Sequence, residues 1–398
     1  MPPGVTVRTV ARGVPFPANV SFDARGRMWL TSSYYGPHRG DGVWFVRRPG
    51  ARPRHVVPGL RSALGLTWSR GRLYVAAVVQ QGASVRARVF AFDHFDGRRF
   101  HRRRTVWRGP RLGQHRVGSI AAGPDGRLYL GIGAVSDDRR GGDRRLAGVV
   151  SFDRRGRGTR VEARGLRNPY GLAFVTGRPW LLLSDNGRDR LGEGTPPDEL
   201  NLLALRGRRR AIPSFGFPRC YDQGGAACRS TRAPLVRLAP HAGVAGVAYA
   251  PRFGCLGPSA FVAESGSTIR RRPTGSDVIR VRLVVRRGHV RGVRSRFATG
   301  FAEHDPVGAA VGPDRALYVT LHRSGRVVRF AAAKTTGRGC ARRTTAPRHS
   351  TGGRGALDQG MKFLLRPQIG PTLPTRWRGH RRSWRSVVAG SRWRPAIP

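Results

Sequence analysis

Lysine is almost absent from this chain of 398 residues. The 74 basic residues include only two lysines, Lys334 and Lys362, and the phosphate-binding pattern G-x-x-x-x-G-K-[ST] does not occur. Long apolar runs are also missing, because no stretch of about 18 apolar residues is present. We therefore expect no membrane span. The first ten residues also lack the apolar segment of a secretory signal.

Acidic residues are scarce, with 22 against 74 basic ones, and the formal net charge is +52. Such a charge is typical of proteins that bind nucleic acid. Proteins that bind phosphate groups commonly use lysine as well as arginine, however, and here the arginines are spread along the whole chain. We therefore attribute most of the charge to compositional bias rather than to a nucleic-acid partner.

The four cysteines form no C-x-x-C pair, so a zinc site is not expected. Cys220 and Cys228 flank a Gly-Gly turn, whereas Cys255 and Cys340 lie far apart in the sequence. Two disulfides would indicate an oxidising compartment. Four unrelated buried thiols are the alternative, and the spacing leaves both open.

An internal repeat dominates the sequence. Each copy has a short apolar strand, a tight turn with Asp or Gly, and a second apolar or aromatic strand. The copies begin at Asn19, Leu64, Ser119, Tyr170, Gly246 and Val307. One such unit cannot bury both of its faces, so neighbouring units must pack together. The repeat predicts an all-β fold, a six-bladed β-propeller over residues 5–333.

Two segments are expected outside the repeats. Residues 185–240 form a long insertion between the fourth and fifth copies, and five of the scarce acids gather in its first part, residues 185–199. Within it, Asp198–Leu205 is the nearest candidate for a helix, with a strand as the alternative. Residues 341–398 are rich in Arg, Gly, Pro, Ser and Thr without periodicity, which predicts a disordered basic tail.

Several strings bring a known family into view. They are His115–Gly126, the Leu-Arg-Asn-Pro-Tyr-Gly-Leu of 166–172, Ser184–Asp189 with Asp198–Leu202, Pro240-His241, and Pro306–Asp314. In this order they resemble the quinoprotein glucose/sorbosone dehydrogenase family, and the later strings are most similar to its sorbosone branch. The resemblance implies a six-bladed propeller that binds pyrroloquinoline quinone and calcium at the top of its central funnel. It also implies oxidation of a sugar or aldose, an external electron acceptor and an extracytoplasmic location.

The resemblance assigns roles to individual residues. His115 corresponds to the base that removes the hydroxyl proton, and histidine suits this role because its ordinary pKa is near neutrality. Arg167 is implied to contact the cofactor carboxylates and Asn168 to support it. Tyr170 stands where glucose-specific members have glutamine, and a tyrosine can hydrogen-bond or stack on a planar ring. Arg270 is a further candidate for binding the cofactor.

The calcium ligands implied by the resemblance are main-chain oxygens of Gly187 and Arg188, in keeping with the preference of calcium for oxygen. The nearby acids Asp185, Asp198 and Glu199 are open to two interpretations: they bind the metal, or they orient the loop and pair with arginine.

The chain departs from the family at two places. Ser265, Thr268 and Ile269 replace residues of the family string His-Gly-Ser-Trp-Asn-Arg, and Asp305 stands where glucose-oxidising members place an arginine. These departures define an alternative function. In it, a propeller of the same family has lost its cofactor and binds carbohydrate or a protein partner without catalysis.

Overall fold

A computed structural model describes residues 1–34, 38–205, 211–221, 224–267, 269–287 and 289–333. All of these residues belong to one compact unit, Met1–Arg343. The predicted tail, residues 341–398, lies outside the described residues.

The described chain forms six antiparallel sheets of four strands each, which confirms the predicted six-bladed β-propeller. Blade 1 contains β2 (Pro17–Phe22), β3 (Met28–Ser32), β4 (Gly42–Val46) and β5 (Arg54–Pro58). Blade 2 contains β6 (Gly65–Ser69), β7 (Arg72–Gln81), β8 (Ser84–Phe95) and β9 (Phe100–Leu112). Blade 3 contains β10 (Val117–Ala122), β11 (Leu128–Ile132), β12 (Gly148–Phe152) and β13 (Arg160–Arg164).

The second half of the ring repeats this order. Blade 4 contains β14 (Pro169–Phe174), β15 (Trp180–Asp185), β16 (Pro197–Ala204) and β17 (Val236–Pro240). Blade 5 contains β18 (Val244–Ala250), β19 (Ser259–Glu264), β20 (Asp277–Arg286) and β21 (His289–Ala298). Blade 6 combines β22 (Pro306–Val311), β23 (Leu317–Leu321) and β24 (Arg326–Ala332) with the first strand of the chain, β1 (Val5–Arg12). Because β1 pairs with β24, the two ends of the propeller close the ring within one sheet.

The turn of the repeat is held by its own aromatic residue. In blade 3 the hydroxyl of Tyr129 donates to Asp125 at 2.8 Å, and in blade 6 Tyr318 donates to Asp314 at 3.0 Å. In blade 1 the indole N–H of Trp29 donates to Asp23 at 3.0 Å. In these three blades, the recurrence of Asp followed by an aromatic residue in the sequence therefore reflects one hydrogen bond that fixes the hairpin.

The innermost strands β2, β6, β10, β14, β18 and β22 pack against one another around the axis. Each of five of them carries a glycine whose place a larger residue could not take, because an added Cβ would lie 2.3–2.7 Å from a backbone oxygen of the next blade. These glycines are Gly65, Gly118, Gly171, Gly246 and Gly308. Between the blades, apolar side chains such as Trp29, Phe45 and Phe92 form the buried core.

The acidic insertion is shorter than the sequence indicated. Two parts of the range 185–240 are strands of blade 4, namely β16 and β17. The helix alternative for Asp198–Leu205 is wrong, because β16 pairs with β15 residue by residue from Glu199 to Ala204. The true insertion is the connection from 205 to 235 between the two outer strands, which contains a short 3₁₀ turn, Ala226–Cys228.

One end of the propeller collects the loops that matter for function. The loops before each innermost strand and the loops between the second and third strands of each blade all lie at this end, which we call the mouth. The predicted site residues lie in these loops or beside them. Within the described ranges, no helix is long and apolar enough to cross a lipid bilayer.

Candidate functional site

The mouth carries a set of histidines. Five of them lie in its loops: His38, His115, His241, His304 and His322. His241 is buried and its Nε2 lies 2.7 Å from the carbonyl oxygen of Gly192. His322 Nε2 lies 3.0 Å from the carbonyl oxygen of Ser33. These two rings therefore fasten loops together.

His115 differs from them, because its Nε2 is buried and has no hydrogen-bond partner. The residue precedes β10, and its backbone N–H donates to the carbonyl oxygen of Ala134, whose own N–H donates to that of Arg167. Burial, together with the positive charge of Arg167, lowers the pKa of His115 to about 3. At neutral pH the ring is therefore uncharged.

Arg167 lies just before β14 and is 3% exposed. One of its terminal nitrogens, Nη2, contacts two carboxylates: Oδ1 of Asp137 at 2.7 Å and Oδ2 of Asp189 at 2.6 Å. The Asp137 side chain is almost buried, whereas that of Asp189 is 42% exposed. The carboxylates of two loops thus already balance the guanidinium charge, although the buried Nε of Arg167 still has no partner.

Asp185, the last residue of β15, fixes the backbone of the Arg-Asn pair. Its Oδ2 accepts the N–H of Arg167 at 3.0 Å and its Oδ1 accepts the N–H of Asn168 at 2.7 Å. Glu199 stands directly opposite on β16. Burial and the charge of Glu199 raise the pKa of Asp185 well above its usual value, and burial raises the pKa of Glu199 to about 7.

A small cavity of about 30 Å³ lies between Arg167, Asp185 and Glu199, closed by Tyr221 and Cys220. This volume is on the order of one water molecule. A cavity of this size is too small for a substrate.

The loop between β15 and β16 carries the predicted metal ligands Gly187 and Arg188. Asp198 accepts the N–H of Gly187 at 2.8 Å through Oδ1 and that of Gly243 at 2.9 Å through Oδ2. A Cβ on Gly187 would lie 2.8 Å from the ring of Pro196, so only glycine fits there. Asp198 therefore orients this loop, which is one of the two roles considered for the nearby acids. Burial raises the pKa of Asp198 to about 6.

The side chain of Arg188 contacts two neighbouring residues, Tyr221 and Asp137. Its Nη1 donates to the hydroxyl of Tyr221 at 2.8 Å, and its Nε lies 3.5 Å from Asp137. Tyr221 follows Cys220, which forms a disulfide with Cys228. Cys255 carries no free thiol, and Cys340 lies outside the described residues.

Arg270 lies apart from this cluster. Its Nη1 donates to the carbonyl oxygen of Pro240 at 3.4 Å, and its Nε is buried without a partner. No hydrogen bond or ion pair in the described ranges joins it to Arg167 or His115. Of the departures from the family string, Ser265 donates its hydroxyl to Gly243, Ile269 is exposed, and Thr268 lies outside the described residues. Tyr170 is the second residue of β14 and is partly buried.

Asp305 is buried and already engaged. Its Oδ1 accepts the N–H of Ser324 at 2.7 Å, and its Oδ2 accepts the hydroxyl of the same residue. The carboxylate therefore fastens the loop between β23 and β24.

Two residues of the cluster were missed by sequence reasoning. Asp137 joins three elements, because it contacts Arg167 and Arg188 and accepts the N–H of Asp189 at 2.8 Å. Tyr221 supports Arg188. In the sequence, Asp137 is marked only by the string Ser136-Asp-Asp138, which places two adjacent acids in a chain that has few. Among the described residues, no three acidic, histidine or cysteine side chains form a metal site.

The fold is shared with solved structures. A putative oxidoreductase (glucose dehydrogenase) from Thermus thermophilus is 25% identical, with a TM-score of 0.63, and the match covers 82% of this chain and all of that one. The PQQ-bound aldose sugar dehydrogenase from Streptomyces coelicolor is 22% identical, with a TM-score of 0.62, covering 83% and 99%. An AA12-family carbohydrate-active enzyme from Trichoderma reesei, solved with calcium, is 15% identical, with a TM-score of 0.68, covering 83% and 96%.

This chain has the fold of the soluble sugar dehydrogenases. The resemblance found in the sequence is thereby confirmed at the level of the fold, while the assignment to the sorbosone branch stays a prediction. No protein-family model matches the chain. An uncharacterized protein from Borreliella burgdorferi is 26% identical over 171 residues, which is 39% of this chain and 43% of that protein. The chain therefore matches less than half the length of this relative.

Proposed function

We propose that this protein is an oxidoreductase that uses pyrroloquinoline quinone and calcium to oxidise a sugar or aldose. The observation that carries the proposal is the buried, unpartnered Nε2 of an uncharged histidine, His115, beside a buried arginine at the mouth of the propeller. Solved proteins of the same fold include a PQQ-bound aldose sugar dehydrogenase, which supports the assignment.

The residues present fit this cofactor on three observations. The buried Nε of Arg167 lacks a partner, and an anionic quinone carries carboxylates that arginine binds well. The backbone of Arg167 and Asn168 is fixed by Asp185. The loop of Gly187 is fixed by Asp198, as a loop that offers main-chain oxygens to calcium requires. The exposed Asp189 carboxylate on Arg167 is the competing group, which an anionic ligand must displace.

In the proposed mechanism, the bound quinone supplies the acceptor for the hydride that leaves the sugar carbon. Arg167 and Asn168 would hold the cofactor, and carbonyl oxygens of Gly187 and Arg188 would hold the calcium. Nε2 of His115 accepts the proton of the hydroxyl that is oxidised, since its lone pair is free. The pKa of about 3 makes the ring a weak base in the protein without cofactor, so the proton is transferred as the hydride leaves and not before it. Burial keeps this proton acceptor out of bulk water. Tyr170 and Arg270 remain candidates for additional contacts with the cofactor.

The alternative function is favoured by a specific observation. Both arginines nearest the proposed cofactor site, Arg167 and Arg188, are already paired with carboxylates. In this alternative, the carboxylates at the mouth balance the charge of these two arginines, and the propeller binds a neutral carbohydrate or a protein partner without a cofactor.

An oxidising compartment is part of the proposal. The disulfide between Cys220 and Cys228 supports it, because such bonds persist outside the reducing cytosol. The disulfide also lies beside Tyr221, which contacts Arg188, so the redox state of the compartment bears directly on the site.

Reconstitution tests the proposal. The purified protein is mixed with pyrroloquinoline quinone and calcium, quinone binding is followed by absorbance, and dye reduction is assayed with a panel of aldoses. We expect saturable binding and turnover with at least one aldose. Absence of both binding and turnover would overturn the proposal. Binding of an aldose without the quinone, in a protein that shows no turnover with it, would establish the alternative.

A further inference from the structure

A second pocket opens at the mouth end of the interface between blades 4 and 5, apart from the site described above. Its volume is about 440 Å³, within the range of small-molecule sites. Ala239 of β17 forms one side, and Ile279 of β20 with Arg294 and Arg296 of β21 forms the other. None of the residues that line it belongs to the proposed quinone site.

Two carboxylates face each other in this pocket. Glu264 ends β19 and Asp277 begins β20, and the two are direct cross-strand partners. Like charges in this arrangement destabilise a sheet. Asp277 has Arg296 at 3.5 Å, but that arginine is largely exposed. The counter-charge of the pair comes from Arg294 and Arg296, which are both exposed residues of β21.

Glu264 carries the stronger demand for a partner. It is 4% exposed and lines the pocket, and its carboxyl group forms no hydrogen bond or ion pair with the described residues. The carboxyl oxygens are not among the fully enclosed polar atoms without a partner. A buried carboxyl group without a partner is costly, and native proteins rarely leave one so. Because the side chain borders an open volume, a ligand can supply the partner that the protein does not.

The chemistry of the pocket decides the class of ligand. A bare metal ion suits it poorly, since no three metal-binding side chains of the described residues come together and the volume far exceeds one ion. An ammonium group matches the two inner carboxylates, because its N–H groups donate to both. The arginines Arg294 and Arg296 stand at the outer side on β21, where both are exposed, and they match an anionic group.

We propose that this pocket binds a small zwitterion of the amino-acid class, with its ammonium group between Glu264 and Asp277 and its carboxylate towards Arg294. Thr274 also lines the pocket, and its hydroxyl donates to the carbonyl oxygen of Pro240 at 3.2 Å. The site is separate from the proposed oxidation chemistry and does not depend on it.

Three compounds of similar size separate the parts of this proposal. Calorimetric or NMR titration of the full-length protein, without quinone, uses β-alanine as the zwitterion, propylamine as the cation and propionate as the anion. We expect saturable binding of β-alanine, binding of propylamine weaker by about tenfold or more, and no measurable binding of propionate. Equal binding of propylamine and β-alanine, or failure of β-alanine to bind, would overturn the proposal.

Variants locate the site. Glu264→Gln keeps the shape of the side chain, and we expect it to weaken β-alanine binding by about tenfold or more. Arg294→Gln should reduce β-alanine to the affinity of propylamine. Arg291→Gln, an exposed arginine of the same strand that does not line the pocket, is the matched control and should change nothing. If Glu264→Gln folds, as judged by its melting curve, and binds β-alanine like the wild type, the site is elsewhere and the proposal is wrong.

The test is independent of the proposed function. His115→Ala should leave β-alanine binding unchanged, because His115 does not line this pocket. A protein that reduces dye with an aldose but ignores β-alanine refutes only the pocket. A protein that binds β-alanine but neither binds quinone nor turns over refutes only the oxidoreductase.

Discussion

Asp189 holds Arg167 through a contact of 2.6 Å between Oδ2 and Nη2, and the aspartate is the exposed member of this pair. The carboxylate lies on the same loop as Gly187 and Arg188. Asp189 therefore neutralises part of the positive charge of Arg167, and an anionic cofactor needs that charge for binding. The pair couples the position of the loop to the occupancy of the site, because a ligand carboxylate and Asp189 compete for one guanidinium.

Removing this competitor is the first prediction. Asp189→Asn should tighten the binding of pyrroloquinoline quinone by about three- to tenfold, since the loss of one partly exposed ion pair frees Arg167 at a modest energetic cost. Binding is measured by absorbance titration in the presence of calcium. Asp138→Asn, an exposed aspartate one residue from Asp137, is the control and should leave the affinity unchanged. Weaker binding by Asp189→Asn would show that the aspartate assists the ligand instead.

The repeat was legible in the sequence because each blade is built from local signals. A turn aspartate and its aromatic partner lie four to six residues apart, as in Asp125 and Tyr129, so the pattern is visible without any knowledge of the fold. The innermost glycines are likewise visible in the sequence, in or directly before five of the six copies. The fold could be predicted from these local patterns. The exception was β16, whose assignment as helix or strand stayed open because a long connection follows it.

The site could be predicted only in part, because its contacts join distant segments. Asp137 and Arg167 are 30 residues apart, on loops of different blades. No local pattern marks such a pair. Resemblance supplied His115 and Arg167, yet it could not show that two carboxylates of this chain already neutralise the arginine. Nor could it show that the carboxylate of Asp305 accepts hydrogen bonds from Ser324.

The second prediction concerns His115 and pH. Its pKa is lowered to about 3, first by burial and then by Arg167, so the ring stays uncharged throughout the range from pH 5 to pH 8. In the reconstituted enzyme, His115 should therefore cause no fall in kcat/KM on acidification to pH 5. A rate that falls with an apparent pKa near 6.5, and loses this fall in a His115 variant, would contradict the lowered pKa of His115 and leave its role as the base in place.

Replacement of the same residue is the third prediction. His115→Ala should lower kcat by about 10²- to 10⁴-fold, the usual contribution of a general base, while quinone affinity changes little. Absorbance titration and dye reduction measure the two quantities separately. His101→Gln is the matched control, because His101 is an exposed histidine of blade 2 that pairs with Asp96. Undiminished turnover in His115→Ala would remove His115 from the mechanism.

The fourth prediction tests the loop support. Asp198→Asn replaces one acceptor oxygen by a donor, so at least one of the N–H groups of Gly187 and Gly243 loses its partner. We expect a loss of about 1–3 kcal/mol in the free energy of unfolding, measured by denaturant titration. The loop 186–196 should also become more sensitive to protease. Glu193→Gln, a partly exposed acid of the same loop, should do neither; equal stability of both variants would argue against the support role.

The last prediction uses the buried Glu264 as a probe of pH-dependent stability. Burial, with Asp198 and Asp277 nearby, raises the pKa of Glu264 to about 8, against about 4.5 in the unfolded chain. The folded state therefore binds a proton that the unfolded state releases, and its stability contribution is full below pH 4.5 and is lost as the pH rises to 8. Glu264→Gln cannot titrate, so its stability relative to the wild type should increase from pH 5 to pH 8 by a few kcal/mol, on the order of the pKa difference.

Denaturant titrations at the two pH values measure this difference. Glu303→Gln, which replaces a half-exposed glutamate of the mouth, should show no such change with pH. Addition of β-alanine at pH 8 should stabilise the wild type and leave Glu264→Gln almost unaffected, because the ammonium group offsets the charge that is otherwise unpaired. A pH dependence equal in the wild type and in Glu264→Gln would mean that the carboxyl group is solvated in the pocket, and both the raised pKa and the need for a cationic partner would fall together.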